Sequence, residues 1–326
     1  MTTLQVAVVG GGIGGAAAAR ALLQRGFDVN LFEQSARLSE VGAGVAVAPN
    51  AVRILRRLGC SAAVDRWGSR WTDTAFCRPD GEMVAPMLSH ADGDDSLEYY
   101  GMHRADLLDM LLDGIPAERL HVAHRCVGFA QDDRRAMVQF DNATSVTADV
   151  VVAADGIHSA LQPLVVPPAE PVHSGSSAYR GTVPSRSVGW PAGQARLWMG
   201  EGKHFLVYPL RANQLITYVG FVPTTEEMRE SWSAPGDPQD LAEAFAGWDP
   251  TITEIIGHIR TTFTWGLYDR EPLPLWTNGR LTLLGDAAHP MLPHQGQGAN
   301  QAIEDAIALA ALLEHFGDDV ASTLTT

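Results

Sequence analysis

The sequence predicts an α/β fold, a Rossmann-like parallel sheet carrying an inserted lobe of antiparallel strands. Three observations carry that prediction. Residues 4–33 spell out strand, glycine-rich turn, helix and second strand. Apolar runs that end in Asp-Gly or Gly-Asp return near residues 150 and 283, and between about 171 and 275 the pattern changes to period-two alternation. The first segment opens on Val6, Ala7, Val8 and Val9, a run that can be buried on both faces of a parallel sheet. It feeds into Gly10-Gly11-Gly12-Ile13-Gly14-Gly15. Gly10 permits the tight turn, Gly12 lets backbone N–H groups approach a phosphate, and Gly15 lets the next helix lie close on the strand. That helix, expected over residues 16–25, is rich in alanine and leucine and stops at Gly26. A second strand, 29–32, ends in Glu33, at the spacing where a carboxylate takes a ribose hydroxyl, with Gln34 beside it. Strand, capped helix, second strand and acid in register point to a bound adenine dinucleotide.

The later elements follow in order. Residues 38–50 form a glycine-bearing loop and strand able to lie against a flat cofactor, and a helix is expected over 51–58. From 67 to 100 the text becomes irregular and β-rich, with Asp80-Gly81 as a hairpin signal and an acidic loop at 92–95. His103-Arg104-Ala105-Asp106 opens a helix, Asp141-Asn142 reads as a turn, and 150–154 is a buried-type strand ending at Asp155-Gly156. Alternating stretches at 204–208 and 215–219 suggest antiparallel strands, followed by a helical portion over 238–259, with Gly236-Asp237 as a turn. A last strand over 280–284 leads to Gly285-Asp286, and 300–315 reads as a helix.

The chain has 326 residues, with 23 basic and 38 acidic side chains and a formal charge of −15. That field repels nucleic acid and anionic membrane surfaces, so small ligands are the expected partners. Cys60, Cys77 and Cys126 are odd in number and widely spaced, which argues against a zinc site or a secreted disulfide framework and fits a reducing cytoplasm. No apolar run reaches the length of about 18 that a membrane span needs, and the chain enters a strand without a cleavable leader. His121 and His124 have metal-ligand spacing but no third ligand, so no metal is expected. Monomer and homodimer both stay open.

Val152-Ala153-Ala154-Asp155-Gly156 and Leu283-Leu284-Gly285-Asp286 each place Gly and Asp at a strand's carboxyl end. With the opening fingerprint, they resemble the three motifs of the single-component aromatic-ring hydroxylases, the flavoprotein monooxygenases related to para-hydroxybenzoate hydroxylase. The text is most similar to the salicylate, 3-hydroxybenzoate and 6-hydroxynicotinate hydroxylase branch. The likeness rests on Val41-Gly42-Ala43-Gly44, His103-Arg104-Ala105-Asp106-Leu107, Tyr179-Arg180-Gly181, Leu273-Pro274-Leu275-Trp276, and Gly285-Asp286-Ala287-Ala288-His289-Pro290 running to Ala302-Ile303-Glu304-Asp305-Ala306. It spans nearly the whole chain. The resemblance implies FAD as cofactor, NADH or NADPH as transient co-substrate with no Rossmann domain of its own, and O₂ with a small aromatic substrate. The implied reaction is hydroxylation of a phenolic or hydroxy-heteroaromatic acid through a flavin C4a-hydroperoxide, an activity of aromatic compound breakdown. It also implies an FAD-binding domain over 1–170 and 276–326, including the β-rich excursion near 67–100, with a substrate domain over 171–275. Asp286 would meet the ribitol side of the flavin, and Gly298, Ala299 and Asn300 would bring helix N–H groups to the ring, where a positive helix end favours the anionic reduced form. Arg104 would contact the phosphates or the flavin, Val45 would line the ring, and Asp155 belongs to the middle motif.

Three side chains are candidates for substrate chemistry. Residues four apart on a strand share a face, so His204 and Tyr208 point together, and the resemblance implies that the histidine helps remove a phenolic proton. His294, in the loop before Gly296, is the third. The sequence also departs from the family. Gln162 stands where the middle motif usually carries arginine, Ala46 stands where the hydroxynicotinate enzymes carry histidine, and the text stops soon after the 300–315 helix, where relatives run on. Two alternatives remain open: a flavin-dependent epoxidase or reductase acting on a larger apolar substrate, and a non-catalytic binding protein on the same scaffold.

Overall fold

A computed structural model describes residues 3–38, 43–87, 98–224, 234–316 and 320–325. The acidic loop at 92–95, and Val41 and Gly42 of one family motif, lie outside the described residues. The organising sheet has six strands in the order Thr277–Asn278, Leu281–Leu283, Val150–Ala153, Gln5–Val9, Asp28–Phe32 and Leu120–His121. All its pairings are parallel except the outermost one, Thr277–Asn278 with Leu281–Leu283. The run at residues 6–9 is buried on both faces, as its composition predicts. Val6 and Val8 pack towards the helices Ile13–Gln24 and Gly298–Phe316, while Ala7 and Val9 pack towards a three-stranded meander over residues 126–148. Ala16 to Ala19 are fully buried on the first helix, as are Ala306 and Ala310 on the second, so the two helices approach closely.

The register places Val9, Phe32, Ala153 and Leu283 at one edge of the sheet. Gly10, Glu33, Asp155 and Gly285 therefore leave the same edge, where open parallel sheets bind ligands.

The second sheet has eight strands, in the order Pro235–Gly236, Thr262–Asp269, Val172–Pro184, Leu215–Pro223, Lys203–Leu210, Gln194–Gly200, Asp73–Cys77 and Met83–Ala85. Its alternation decides its faces. Phe205, Val207, Ile216 and Tyr218 bury against the helices Pro238–Ala244 and Pro250–Gly257, whereas Leu206, Tyr208, Thr217 and Val219 face a cavity. Asp237, expected as a turn residue, caps the first of those helices by accepting from the Gln239 N–H at 2.8 Å.

The excursion at 67–100 divides between two sheets. Ser69–Arg70 and Tyr100–His103 pair in a small sheet with Gly44–Val47, while Asp73–Cys77 and Met83–Ala85 extend the eight-stranded one. The link is a parallel pairing of Asp73–Cys77 with Gln194–Gly200, held also by Gln194 and Arg196 donating to the Asp73 carboxylate at 2.9 and 2.6 Å.

Candidate active site

A cavity of about 1090 Å³ runs from the edge of the parallel sheet to the open face of the eight-stranded one. At the first end it is lined by Gly10, Gly12 and Gly14, with Glu33 and Gln34 beside them. Gly10 has a φ of +109°, and a Cβ there would sit 2.1 Å from the Ala154 carbonyl oxygen. A Cβ on Gly15 would lie 1.9 Å from the Gly10 carbonyl oxygen, so Gly15 serves helix packing and does not line the cavity. Gly12 is the opposite case, with no heavy atom within 4 Å of its Cβ position, and it leaves the turn open on the ligand side. Glu33 accepts from the N–H groups of Gly11 and Ser35, each at 2.7 Å, and both of its oxygens retain capacity for a hydroxyl donor.

In the middle of the cavity Asp155 and Asp286, which follow neighbouring strands at the same sheet edge, both line the wall. Asp155 accepts from the Ala160 N–H at 2.8 Å through Oδ2, while its buried Oδ1 has no hydrogen-bond partner among the described residues. Burial pushes this carboxyl up, against the opposing pull of Ser159 and nearby amides. Asp286 stands on the turn Gly285–Ala287, which begins with Gly285 at φ +61°. Gln162, in the position of the family's arginine, donates from its amide to the Ala287 carbonyl at 2.9 Å, tying the middle motif to this turn. Val45, Arg104, Gly298 and Ala299 complete the middle of the cavity.

The expectation for Asn300 concerns its backbone N–H; its side chain has a separate, structural role. Its side chain is buried, accepting from Ala48 N–H at 2.9 Å and donating to the carbonyls of Ala46 and Gly296 at 2.9 and 2.7 Å, and it does not line the cavity. It fastens the strand Gly44–Val47 to the helix start.

The far end is an aromatic and aliphatic box that includes Trp71, Leu206, Tyr208, Phe221 and Trp265. Tyr208 packs against Trp71 with centroids 5.1 Å apart, and burial raises its phenol well above the ordinary value, with Arg104 and Arg180 pulling the other way. His204 lies on the same strand face but does not line the cavity. Its ring stacks on Phe221 at 4.1 Å, and its Nε2 lies 3.4 Å from Nδ1 of His294, which does line the cavity. Burial, then the neighbouring His294, pushes His204 down to about 4; burial also lowers His294. Both imidazoles are therefore neutral near pH 7.

Sequence reasoning overlooked one group here. Arg180 is 5% exposed, lines the box and holds its guanidinium 4.9 Å from the Trp265 ring centroid. The signal was present, since in Tyr179-Arg180-Gly181 strand alternation must send Arg180 to the face opposite Tyr179, and Tyr179 packs on the helical side.

A family model described as an FAD binding domain matches residues 3–323. The chain belongs to that family. Its cofactor is FAD, and the glycine cradle, the acceptor Glu33 and the orphaned Asp155 oxygen fit such a ligand. A 3-amino-4-hydroxybenzoate 2-monooxygenase of Streptomyces platensis is 38% identical over 318 residues, covering 95% of this chain and 79% of the relative. A 6-hydroxynicotinate 3-monooxygenase of Pseudomonas fluorescens is 34% identical over 322 residues, covering 96% of this chain and 83% of the relative. Among solved structures, Klebsiella pneumoniae HpxO complexed with FAD and uric acid superposes with a TM-score of 0.86 at 29% identity, covering 98% of this chain and 82% of that one. No helix among the described residues is long and apolar enough to cross a membrane.

Proposed function

We propose that this protein is a single-component FAD-dependent monooxygenase that hydroxylates a small aromatic acid bearing a ring hydroxyl, with NADH or NADPH and O₂ as co-substrates. One observation carries the reading: a single cavity joins the dinucleotide cradle to an aromatic box that offers a neutral imidazole, His294, and a buried cation, Arg180. FAD, when bound, supplies the transfer of reducing equivalents and the activation of O₂.

The chain supplies the rest. Gly10, Gly12 and Gly14 with Glu33 hold the adenosine and pyrophosphate, and Asp155, Gly285, Asp286, Gly298, Ala299, Val45 and Arg104 surround the flavin portion. The apolar box excludes water, which keeps the reactive oxygen from being lost. His294 accepts the proton of the ring hydroxyl, raising electron density at the ring carbons, and His204 behind it takes up or returns a proton through the Nδ1 to Nε2 contact. Tyr208 shapes the box as a neutral phenol. Residues 1–170, apart from the strands at 73–85, form the cofactor domain with 276–326, and 171–275 with those strands form the substrate lobe.

The epoxidase, reductase and non-catalytic readings have weaker support, since the relatives above are named as monooxygenases of hydroxylated aromatic acids. Three buried free cysteines suit a reducing compartment such as the cytoplasm. The test is oxygen-dependent product formation: the purified yellow protein is supplied with NADH or NADPH and a panel of hydroxylated aromatic acids, and consumption without hydroxylated product across the panel would remove the assignment.

A further inference from the structure

The turn that presents Asp286 is held from both ends by one carboxylate. Asp305, two turns into the helix Gly298–Phe316, accepts the Gly285 N–H at 3.0 Å and the His289 Nε2 at 2.6 Å through the same oxygen. Within the turn, the amides of Ala288 and His289 both donate to the Gly285 carbonyl, at 2.8 and 2.9 Å. The imidazole rests on Trp276, with centroids 4.9 Å apart. Both partners of the ion pair keep only 19% of their side-chain surface exposed.

We propose that His289 and Asp305 are positioning residues whose ion pair locks the Gly285–His289 turn onto the long helix and so fixes Asp286 for FAD binding. This rests on the placement of Asp286 at the flavin given above. Neither residue lines the cavity, so the pair acts through the turn.

The charged groups facing the imidazole are Asp305 from the helix and Asp286 from the turn itself; Trp276, from the segment before the last strands, is uncharged. Burial alone would lower the His289 pKa, but the Asp305 bond and the two carboxylates outweigh it, and the net direction is upward. A group raised in this way contributes fully below its ordinary value, about 6.5, and the contribution fades as pH rises through the raised value. Neutral His289 still donates to Asp305, but without its charge the bond is weaker.

The experiment titrates the full chain, stripped of flavin, with FAD and reads the dissociation constant by flavin fluorescence between pH 6 and 9. The parent should bind FAD more weakly as pH rises. Asp305→Asn, which keeps an acceptor for Gly285 but loses the charge, and His289→Phe, which removes the donor, should each weaken binding about tenfold or more at pH 6. His289→Gln restores a donor without a titrating charge, so it should recover part of the affinity and give a flat pH profile. Parent affinity in either Asp305→Asn or His289→Phe, or survival of the parent pH slope in His289→Gln, overturns the proposal. Asp286→Ala separates the two layers. If it binds FAD as the parent does, the placement of Asp286 at the flavin fails and takes the lock with it; if it weakens binding while Asp305→Asn does not, the lock alone fails.

Discussion

Replacing His294 by alanine tests the chemistry most directly, because it removes a cavity-lining imidazole that packs on Phe221 of the aromatic box, with centroids 4.9 Å apart. A phenol of ordinary pKa, about 10, is ionised to roughly one part in a thousand at pH 7. If His294 is what shifts that balance, hydroxylation at pH 7 should fall by about 10²–10³-fold, within the range of about 10²–10⁴ for a positioned base. NAD(P)H oxidation should persist, with electrons diverted to hydrogen peroxide. Between pH 7 and 9 the variant should recover roughly tenfold per pH unit as the substrate ionises by itself. His204 sits one contact further back, at 3.4 Å, so His204→Ala should cost less, on the order of tenfold, and the double variant should be no worse than His294→Ala alone. On this reading both imidazoles, lowered by burial, act as neutral bases, so activity should hold at the ordinary histidine value of about 6.5 and be lost only as pH falls further, with His204 protonating at about 4. The assay is product formed per NAD(P)H consumed, with peroxide measured in parallel. If His294→Ala keeps parental coupling and parental pH dependence, the ring hydroxyl is not ionised by this pair.

Three further outcomes are expected. Glu33→Ala should weaken FAD binding roughly tenfold, because a ribose acceptor is lost and the Gly11 N–H loses its 2.7 Å partner; flavin retained after gel filtration measures it. Gly15→Ala places a Cβ 1.9 Å from a backbone oxygen that cannot swing aside, so the variant should purify mainly as destabilised apoprotein, visible as a lowered melting temperature and a lost flavin spectrum. Arg180→Met should reduce binding of an aromatic acid by roughly tenfold or more while sparing the matching amide, as read by substrate-induced changes in flavin absorbance; equal losses for both would deny Arg180 an anion-binding role.

The parts of the fold that were legible are those in which each local signal has one structural meaning. The strand at residues 6–9, the turn at 10–15 and the acid at 33 lie within 30 residues of sequence, and local spacing fixes their geometry. The shared face of His204 and Tyr208 follows from strand period alone, and both residues do lie opposite Phe205 and Val207. Distance from the cavity was not legible in the same way. Which of His204 and His294 lines the cavity depends on how a loop from residues 293–295 lies over Phe221, a contact between segments some 90 residues apart. Asn300 reads as a helix-start residue, yet its amide is taken up by the strand at 44–47, which sequence spacing cannot announce. The parallel pairing of Gln194–Gly200 with Asp73–Cys77 was hidden for the same reason, since no hairpin or crossover helix marks it.

That pairing also governs how the molecule can be made and cut. A sheet completed by a segment synthesised more than a hundred residues earlier has high contact order, so the strand at 73–77 must wait, paired only with Met83–Ala85 on one side, while the ribosome delivers its other neighbour. Excising residues 171–275 as a free-standing lobe would leave Gln194–Gly200 as a bare edge, and its exposed row of backbone donors and acceptors would recruit other chains. Any graft that moves the substrate lobe onto another cofactor domain therefore has to carry residues 73–85 with it.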